Sequence, residues 1–252
     1  MTTEIENERW ALLLDFDGTL VDIAEEPQAI VVPSGLGSLL QRLRARLGGA
    51  LALVSGRTMA DIDGFLTPHC FDGAGLYGAE QRIGDLVDEQ SRLAADRLRP
   101  AVARLSRVLA DKEGVLIEDK GCAVAVHWRK APHYEPLVAD LVESVIYDLA
   151  QGFRMQLGKA VAEIAPADAS KGKAIKTILA APAYRERRPI FIGDDLADCS
   201  AFDIVIERGG IAVQVGDDGS TPYRLPDPAS VRHRLETWAA GMPIDPARDF
   251  AA

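Results

Sequence analysis

The stretch that decides the fold is WALLLDFDGTLVD, residues 10–22, in which an apolar run ends in two aspartates, Asp15 and Asp17. A continuous apolar run of this kind is typical of a parallel strand that is covered on both faces. Buried carboxylates are costly unless they are paired or bind a cation. We therefore expect the two aspartates to mark a site at the end of a buried strand.

A second apolar run ends in the same way. RPIFIGDD, residues 188–195, leads into Asp194, and Asp198 follows it closely. In open parallel sheets, ligands bind beyond the carboxyl ends of the strands. If both strands lie in one sheet, these two aspartates can converge with Asp15 and Asp17. Such hard oxygen ligands select Mg²⁺ or a related cation, so the pattern predicts a metal site.

Two further motifs fit a phosphate. VSGR, residues 54–57, places Ser55 and its backbone N–H before a predicted helix, and helix N-termini bind anions. ASKGKAI, residues 169–175, places Lys171 at the start of another helix, where its charge could offset that of a phosphate. Asp15 could then attack phosphorus, and Asp17 could protonate the leaving oxygen and later activate water. Together these groups predict phosphoryl transfer.

The chain alternates strand and helix patterns at both ends, which predicts an α/β core with a parallel sheet. Residues 71–85 read as turns. The middle has strands joined by tight turns, with helices beside them, which indicates a small α+β insert with an antiparallel sheet. We expect a catalytic core of residues 1–95 and 168–252, interrupted by a cap of residues 96–167.

Three strands of the predicted cap each carry one polar and one apolar face. Val124, Val126 and Trp128 take the face opposite His127 and Arg129, and they are expected to pack on the cap helices. A sugar site needs paired donors and acceptors, which the opposite face could supply. The polar residues that share a face in pairs are Glu118 with Lys120, His127 with Arg129, and Lys159 with Glu163.

Several of these residues have ordinary interpretations. Asp15 and Asp17 could be turn residues, and Asp195 and Asp198 could be solvated residues at a helix start. Lys171 could be a surface lysine. Glu118 and Lys120 could be a charge pair on an exposed strand, and His127 could be a structural residue. These alternatives stay open at the level of the residues.

The motifs DFDGTL, SGR, Lys171 within SKGKAI, and GDDLAD occur in that order, and in this the chain resembles the haloacid dehalogenase superfamily of phosphatases. Within the superfamily it is similar to the trehalose-6-phosphate phosphatases, through YGAEQR, GKAVAEIAP, GDDLADCSAF and ERGGIAVQVG among other stretches. The resemblance implies a Rossmann-like core with an inserted C2-type cap. It also implies Mg²⁺-dependent hydrolysis of trehalose 6-phosphate through an aspartyl-phosphate.

The resemblance implies a role for each matching residue. Asp15 would be the nucleophile and Asp17 the acid/base. The metal would be held by Asp15, Asp194 and the Asp17 carbonyl, with Asp198 in its outer shell. Ser55 and Lys171 would hold the phosphate. The expected substrate-binding residues are Gly56, Arg57, Glu118, Lys120, His127, Arg129, Lys159 and Glu163.

The chain departs from the usual family pattern at Tyr77, His127, Ala197 and Cys199. None of these changes removes a central catalytic group, but they leave the sugar open. The alternative is a related phosphatase for sucrose phosphate or for a mannosyl- or glucosyl-3-phosphoglycerate. A mutase and a catalytically silent sensor are two further hypotheses, which phosphate release would separate from a phosphatase.

The composition of the chain limits the classes of partner and the cellular location that we expect. The net charge of −10 disfavours a nucleic-acid partner. The sequence contains no run of about 20 apolar residues, the length that a membrane-spanning helix needs. Cys70, Cys122 and Cys199 are far apart, which favours the reducing cytoplasm. We expect a cytoplasmic monomer that acts on a small sugar phosphate.

Overall fold

The computed structural model describes residues 10–24, 29–84, 86–87, 89–149, 152–158, 160–216 and 221–250. Short 3₁₀ segments lie at Leu76–Gly78, Pro132–Tyr134 and Leu196–Asp198. The other elements, in chain order, are β1 (Trp10–Leu14), α1 (Leu36–Arg46), β2 (Leu51–Val54), α2 (Met59–Leu66), β3 (Asp72–Gly75), β4 (Glu80–Ile83), β5 (Leu86–Val87), α3 (Glu89–Leu109), β6 (Leu116–Asp119), β7 (Val124–His127), α4 (Glu135–Asp148), β8 (Phe153–Gly158), β9 (Val161–Pro166), α5 (Lys171–Ala180), β10 (Arg188–Gly193), α6 (Cys199–Glu207), β11 (Ile211–Val215), β12 (Tyr223–Leu225), α7 (Pro228–Ala239) and α8 (Pro246–Asp249).

The chain divides into two compact units. The core unit comprises Met1–Leu86 and Ser170–Ala252, and the insert unit comprises Val87–Ala169. The sequence prediction placed the insert at 96–167, and its first boundary falls inside α3, which begins at Glu89. The polar first turn of this helix lacks the apolar stripe on which the prediction rested, so the helix starts earlier than its pattern indicates.

The core sheet has the strand order β12-β11-β10-β1-β2-β3-β4-β5. The strands from β12 to β3 run parallel, and β4 is antiparallel to β3. Successive residues of β1 point to opposite faces, so Leu12 and Leu14 pack with α1, α2 and α7 on one side. Ala11 and Leu13 pack with α5 and α6 on the other side. This three-layer arrangement confirms the predicted α/β class with a parallel sheet.

Residues 71–85 were predicted as turns, but they contain β3 and β4. The strand DGAG reads as a loop because glycine is disfavoured in strands. A Cβ at Gly73 would lie 2.2 Å from the carbonyl oxygen of Leu53 in β2, so only glycine fits this close approach. Tertiary packing here overrides the local preference. The sequence prediction also assigned neither α6 nor β12.

The insert unit contains an antiparallel sheet of order β6-β7-β9-β8. Helices α3 and α4 cover one face, where Val124, Val126 and Trp128 are buried among their apolar side chains. The turn from β6 to β7 passes through Gly121 at φ 78°, a left-handed conformation that suits glycine. An α+β insert with a polar and an apolar sheet face is therefore confirmed.

None of the helices in the described ranges is both long and apolar enough to cross a bilayer.

Candidate active site

Three carboxylates converge at the carboxyl ends of β1 and β10. Asp15 follows β1, and its N–H donates to the carbonyl of Ile192 at 2.9 Å, so the pairing with β10 continues up to the site. Asp194 and Asp198 follow β10. Each of the three offers an oxygen, and these oxygens lie within 4.8 Å of one another. The sheet topology thus brings together three of the four carboxylates that the strand-end pattern predicted to converge.

Lys171 enters the cluster from the start of α5. The hydroxyl of Ser170 caps this helix by accepting the N–H of Lys173 at 3.1 Å. The Lys171 Nζ then donates to Asp15 and to Asp198, each at 2.7 Å, with the side chain only 3% exposed. Burial alone would lower the pKa of Lys171, but attraction to Asp15 and Asp198 outweighs it and raises the pKa. The alternative of a surface lysine is wrong.

The aspartates carry more negative charge than Lys171 can offset. Burial raises the pKa of Asp15 and of Asp198 to about 7, against the opposing attraction of Lys171. Burial likewise raises the pKa of Asp194 to about 6. A divalent cation would favour the ionised forms, and carboxylate oxygens are the donors that Mg²⁺ prefers. The three residues could therefore hold a metal ion.

Asp198 is the innermost carboxylate. It is fully buried, and its Oδ2 accepts the backbone N–H groups of Asp194 at 3.0 Å and Asp195 at 3.2 Å. The alternative of a solvated helix-start residue is therefore wrong for Asp198. It describes Asp195 correctly, because the exposed Asp195 side chain caps a short helix by accepting the N–H of Ala197 at 2.9 Å.

The loop after Asp15 is shaped by a glycine. Gly18 has φ 75°, and a Cβ at this position would lie 2.0 Å from Asp194 Oδ2. Both the left-handed backbone and the close approach require glycine here. The next residue, Thr19, is buried, and its hydroxyl donates to Asp15 Oδ2 at 3.3 Å.

Asp17 is held outside the three-carboxylate cluster. The extended geometry of β1 ends before it, because the chain turns at Gly18. Its carboxylate accepts two hydrogen bonds from Arg57, from Nε at 2.6 Å and from Nη2 at 2.7 Å. The side chain of Asp17 therefore does not join Asp15 as the strand alternation predicted. Its backbone carbonyl as a metal ligand stays a prediction.

The predicted phosphate loop follows β2. Ser55 is buried, and its hydroxyl oxygen accepts the N–H of Arg57 at 3.1 Å. The backbone N–H of Ser55, which was expected to face an anion, instead donates to the carbonyl of Ala74 in β3 at 2.9 Å. That expectation is wrong, because Ser55 still belongs to the sheet ladder. A Cβ at Gly56 would lie 2.6 Å from the ring of Tyr77, so a larger residue there would displace that ring.

Sequence reasoning missed Gln214, which supports the loop that carries Asp194 after β10. Its fully buried side chain donates from Nε2 to the carbonyl of Asp194 at 2.6 Å and to that of Val215 at 3.1 Å. It fixes the backbone at the end of β10 from the neighbouring strand β11. A signal was available, because Gln214 is the single polar residue in the otherwise apolar strand IAVQV.

The polar residues of the insert unit form a second cluster on the open face of its sheet. Glu118 Oε2 accepts a hydrogen bond from the Nε2–H of His127 at 3.0 Å. The Nζ of Lys120 lies 3.4 Å from Glu163 and 4.0 Å from Glu118. Glu118 and Glu163 both pair with Ala125 on the central strand β7, so the two carboxylates flank a small residue. The structure thus brings together four of the predicted substrate-binding residues.

One oxygen of this cluster lacks a partner within the part of the chain that the structure describes. Glu163 Oε1 is buried and has no hydrogen-bond partner among the described residues. Buried polar atoms are rarely left unsatisfied, so such an atom points to a missing donor. Arg129 is exposed just beyond β7, and Lys159 lies outside the described residues.

Comparisons with known proteins identify the family of this chain. The profile of the trehalose-phosphatase family matches residues 13–226. A probable trehalose-phosphate phosphatase of Sinorhizobium fredii is 43% identical over 218 residues, which cover 86% of this chain and 80% of that protein. The trehalose-6-phosphate phosphatase of Escherichia coli is 38% identical over 213 residues, which cover 82% of this chain and 78% of that protein.

Solved structures show the same fold. The crystal structure of a trehalose-6-phosphate phosphatase related protein superposes with a TM-score of 0.79 at 24% identity, covering 91% of this chain and 97% of that one. A haloacid dehalogenase-like hydrolase from Bacteroides thetaiotaomicron superposes with a TM-score of 0.65 at 14% identity, covering 90% and 98%.

Proposed function

Because this chain belongs to the trehalose-phosphatase family, we propose that it is a Mg²⁺-dependent phosphatase that hydrolyses trehalose 6-phosphate to trehalose and inorganic phosphate. The observation that carries the proposal is the buried cluster of Asp15, Asp194 and Asp198 around Lys171 at the ends of β1 and β10. This cluster offers a nucleophile, a cation site and a fixed positive charge in one place.

The chemistry follows from the placement of these groups. An oxygen of Asp15 attacks phosphorus, the bond from phosphorus to the sugar oxygen breaks, and the phosphoryl group becomes an aspartyl-phosphate. Asp17 gives the departing sugar oxygen its proton, and it then takes a proton from the water that attacks phosphorus and frees Asp15. Lys171 stabilises the negative charge of the transferring group throughout.

We propose that Asp15, Asp194 and the Asp17 carbonyl hold Mg²⁺, which would offset negative charge on the phosphoryl oxygens. Asp198 would orient these ligands, since it binds the backbone N–H of Asp194 and the Nζ of Lys171. Gln214 would do the same through the Asp194 carbonyl. Outer residues of this kind are what keep metal ligands in place.

The sugar part of the substrate is proposed to bind the polar cluster of the insert unit. Glu118, Lys120, His127 and Glu163 supply charged donors and acceptors, with Arg129 and Lys159 as further candidates. Glu163 Oε1, which has no hydrogen-bond partner among the described residues, supports this role, because a sugar hydroxyl could donate to it. Charged acceptors of this kind discriminate strongly against substrates without the matching hydroxyl.

The decisive experiment measures phosphate release with Mg²⁺ from five substrates: trehalose 6-phosphate, sucrose 6-phosphate, glucose 6-phosphate, mannosyl-3-phosphoglycerate and p-nitrophenyl phosphate. We expect a strong preference for trehalose 6-phosphate, and we expect a chelator to abolish release. Activity on p-nitrophenyl phosphate without that preference would retain the core chemistry and reject the substrate. Phosphate release that the chelator does not change would contradict the proposed dependence on Mg²⁺. A cytoplasmic location and a monomeric state stay predictions.

A further inference from the structure

The side chain of Arg57 binds another protein group, although its position in the SGR motif predicted contact with the substrate. Its Nε and Nη2 donate to the two different oxygens of Asp17, at 2.6 and 2.7 Å. This two-bond fork fixes both the position and the plane of the carboxylate, as a single point charge could not. The two residues are 40 positions apart, so the contact depends on the adjacent placement of β1 and β2.

Arg57 is held on several sides. Its guanidinium lies over the ring of Phe65, 5.2 Å from the centroid, and the side chain is only 11% exposed. Its backbone N–H donates to the Ser55 hydroxyl at 3.1 Å, and its carbonyl accepts the N–H of Leu76 at 2.9 Å. Turning this guanidinium towards a phosphate would break two charge-assisted bonds and leave Asp17 unpaired, which is unfavourable.

Asp17 has little else to hold it. The chain turns at Gly18 immediately after it, with φ 75°. Within the described part of the chain, Arg57 is the one group that bonds to its carboxylate. The Asp17 side chain is nevertheless 33% exposed, so a substrate can reach it while the fork is intact.

We infer that Arg57 is a positioning residue for Asp17: its guanidinium fixes the carboxylate that exchanges protons with the leaving sugar, and it does not bind the phosphoryl group. The inference rests on the proposed function, because it takes Asp17 as the acid/base. It replaces the sequence expectation that Arg57 binds substrate.

The test compares leaving groups in the first turnover. Trehalose must leave with a proton, whereas p-nitrophenolate is stable without one and needs little help from Asp17. Arg57→Ala should slow the first-turnover release of trehalose by about 10- to 100-fold, since misplaced catalytic groups cost this much. It should leave the burst of p-nitrophenol and the KM values for both substrates within about 3-fold of the original protein, because phosphate binding is untouched.

A double variant distinguishes positioning of Asp17 from binding of phosphate. If Arg57 acts only through Asp17, Arg57→Ala adds no further loss to Asp17→Asn, because the effects of coupled residues are not additive. Arg57→Lys should behave like Arg57→Ala, since lysine keeps the charge but cannot form the fork. It also gives the same readout if the alanine variant does not fold.

Arg82 provides a matched control. It forms an equivalent fork with Asp63, at 2.6 and 2.7 Å, in the same unit and outside the carboxylate cluster. Arg82→Ala should leave the ratio of the two first-turnover rates unchanged. Arg57→Ala could instead raise KM and slow the first-turnover release of trehalose and of p-nitrophenol equally, and it could do the same when added to Asp17→Asn. That result would mean that Arg57 binds the phosphate. It would overturn the inference and leave the proposed function standing. A parent protein with no phosphatase activity would overturn both.

Discussion

Lys171 is the residue that makes the buried aspartates tolerable. An ionised carboxylate away from water is costly unless a charge or hydrogen bond compensates it. Lys171 reaches Asp15 and Asp198 at 2.7 Å from 156 and 27 positions away along the chain. One lysine cannot neutralise three aspartates, and this excess of negative charge is the physical reason for expecting a cation.

At this scale we expect Asp15→Asn to abolish turnover. An amide cannot form the acyl-phosphate, and loss of a covalent nucleophile costs at least about 1000-fold in other enzymes. The measurement is phosphate release from trehalose 6-phosphate, with circular dichroism to verify the fold. Asp22→Asn, at an exposed position in the same loop, is the control and should retain activity. Substantial turnover by Asp15→Asn would reject the nucleophile assignment.

The open face of the insert sheet is the element that could recognise a sugar. Its central strand β7 places Ala125 between Glu118 and Glu163, and the Nζ of Lys120 lies within 4.0 Å of both carboxylates. Antiparallel strands lie about 4.8 Å apart, so the two carboxylates stand on strands roughly 10 Å apart. The arrangement comes from strand register, which a slip of one residue would destroy.

At this scale we expect Glu118→Ala and Arg129→Ala to lower kcat/KM for trehalose 6-phosphate by about 10- to 100-fold, the value of one hydrogen bond to a charged group. Activity on p-nitrophenyl phosphate, which has no sugar, should be much less affected. Glu143→Ala, on the exposed surface of α4, is the matched control. Equal losses on both substrates would contradict a role in sugar binding.

At the scale of the whole molecule, the acidic cluster couples folding to pH and to metal. In the protein without metal, burial raises the pKa of Asp15 and Asp198 to about 7 and that of Asp194 to about 6, from a reference of 3.8. At pH values between about 4 and 7, the folded protein therefore binds more protons than the unfolded chain. The stabilisation from these protons is complete below about pH 4 and is lost as the pH rises through 6 to 7.

We therefore expect Mg²⁺ to raise the Tm more at about pH 8 than at about pH 5, because at the lower pH protons compete with the metal for the same carboxylates. Thermal unfolding at both pH values, with Mg²⁺ and with a chelator, gives the measurement. Asp194→Asn should reduce the difference, since it removes one ligand. A larger effect of Mg²⁺ at the lower pH would contradict this account.

The sequence predicted those features of the structure that depend on neighbouring residues along the chain. Apolar runs that end in aspartates predicted the two strands and the converging carboxylates, because strand burial and strand-end placement follow from the local pattern. The alternating polar and apolar residues of the insert predicted its two sheet faces for the same reason. The Ser170 cap at the start of α5 was also visible. The structure confirms these predictions except for Asp17, whose side chain pairs with Arg57 outside the cluster.

The sequence by itself thus determined the fold class, the position of the carboxylate cluster and the lysine that enters it, since these follow from periodicity, turn chemistry and ordered motifs. Only the tertiary structure decided that Arg57 pairs with Asp17, that Gln214 holds the Asp194 carbonyl, and that the Ser55 N–H belongs to the sheet. The physical reason is that each of these bonds joins groups on neighbouring strands or loops, and which elements are neighbours depends on the order of strands in the folded sheet.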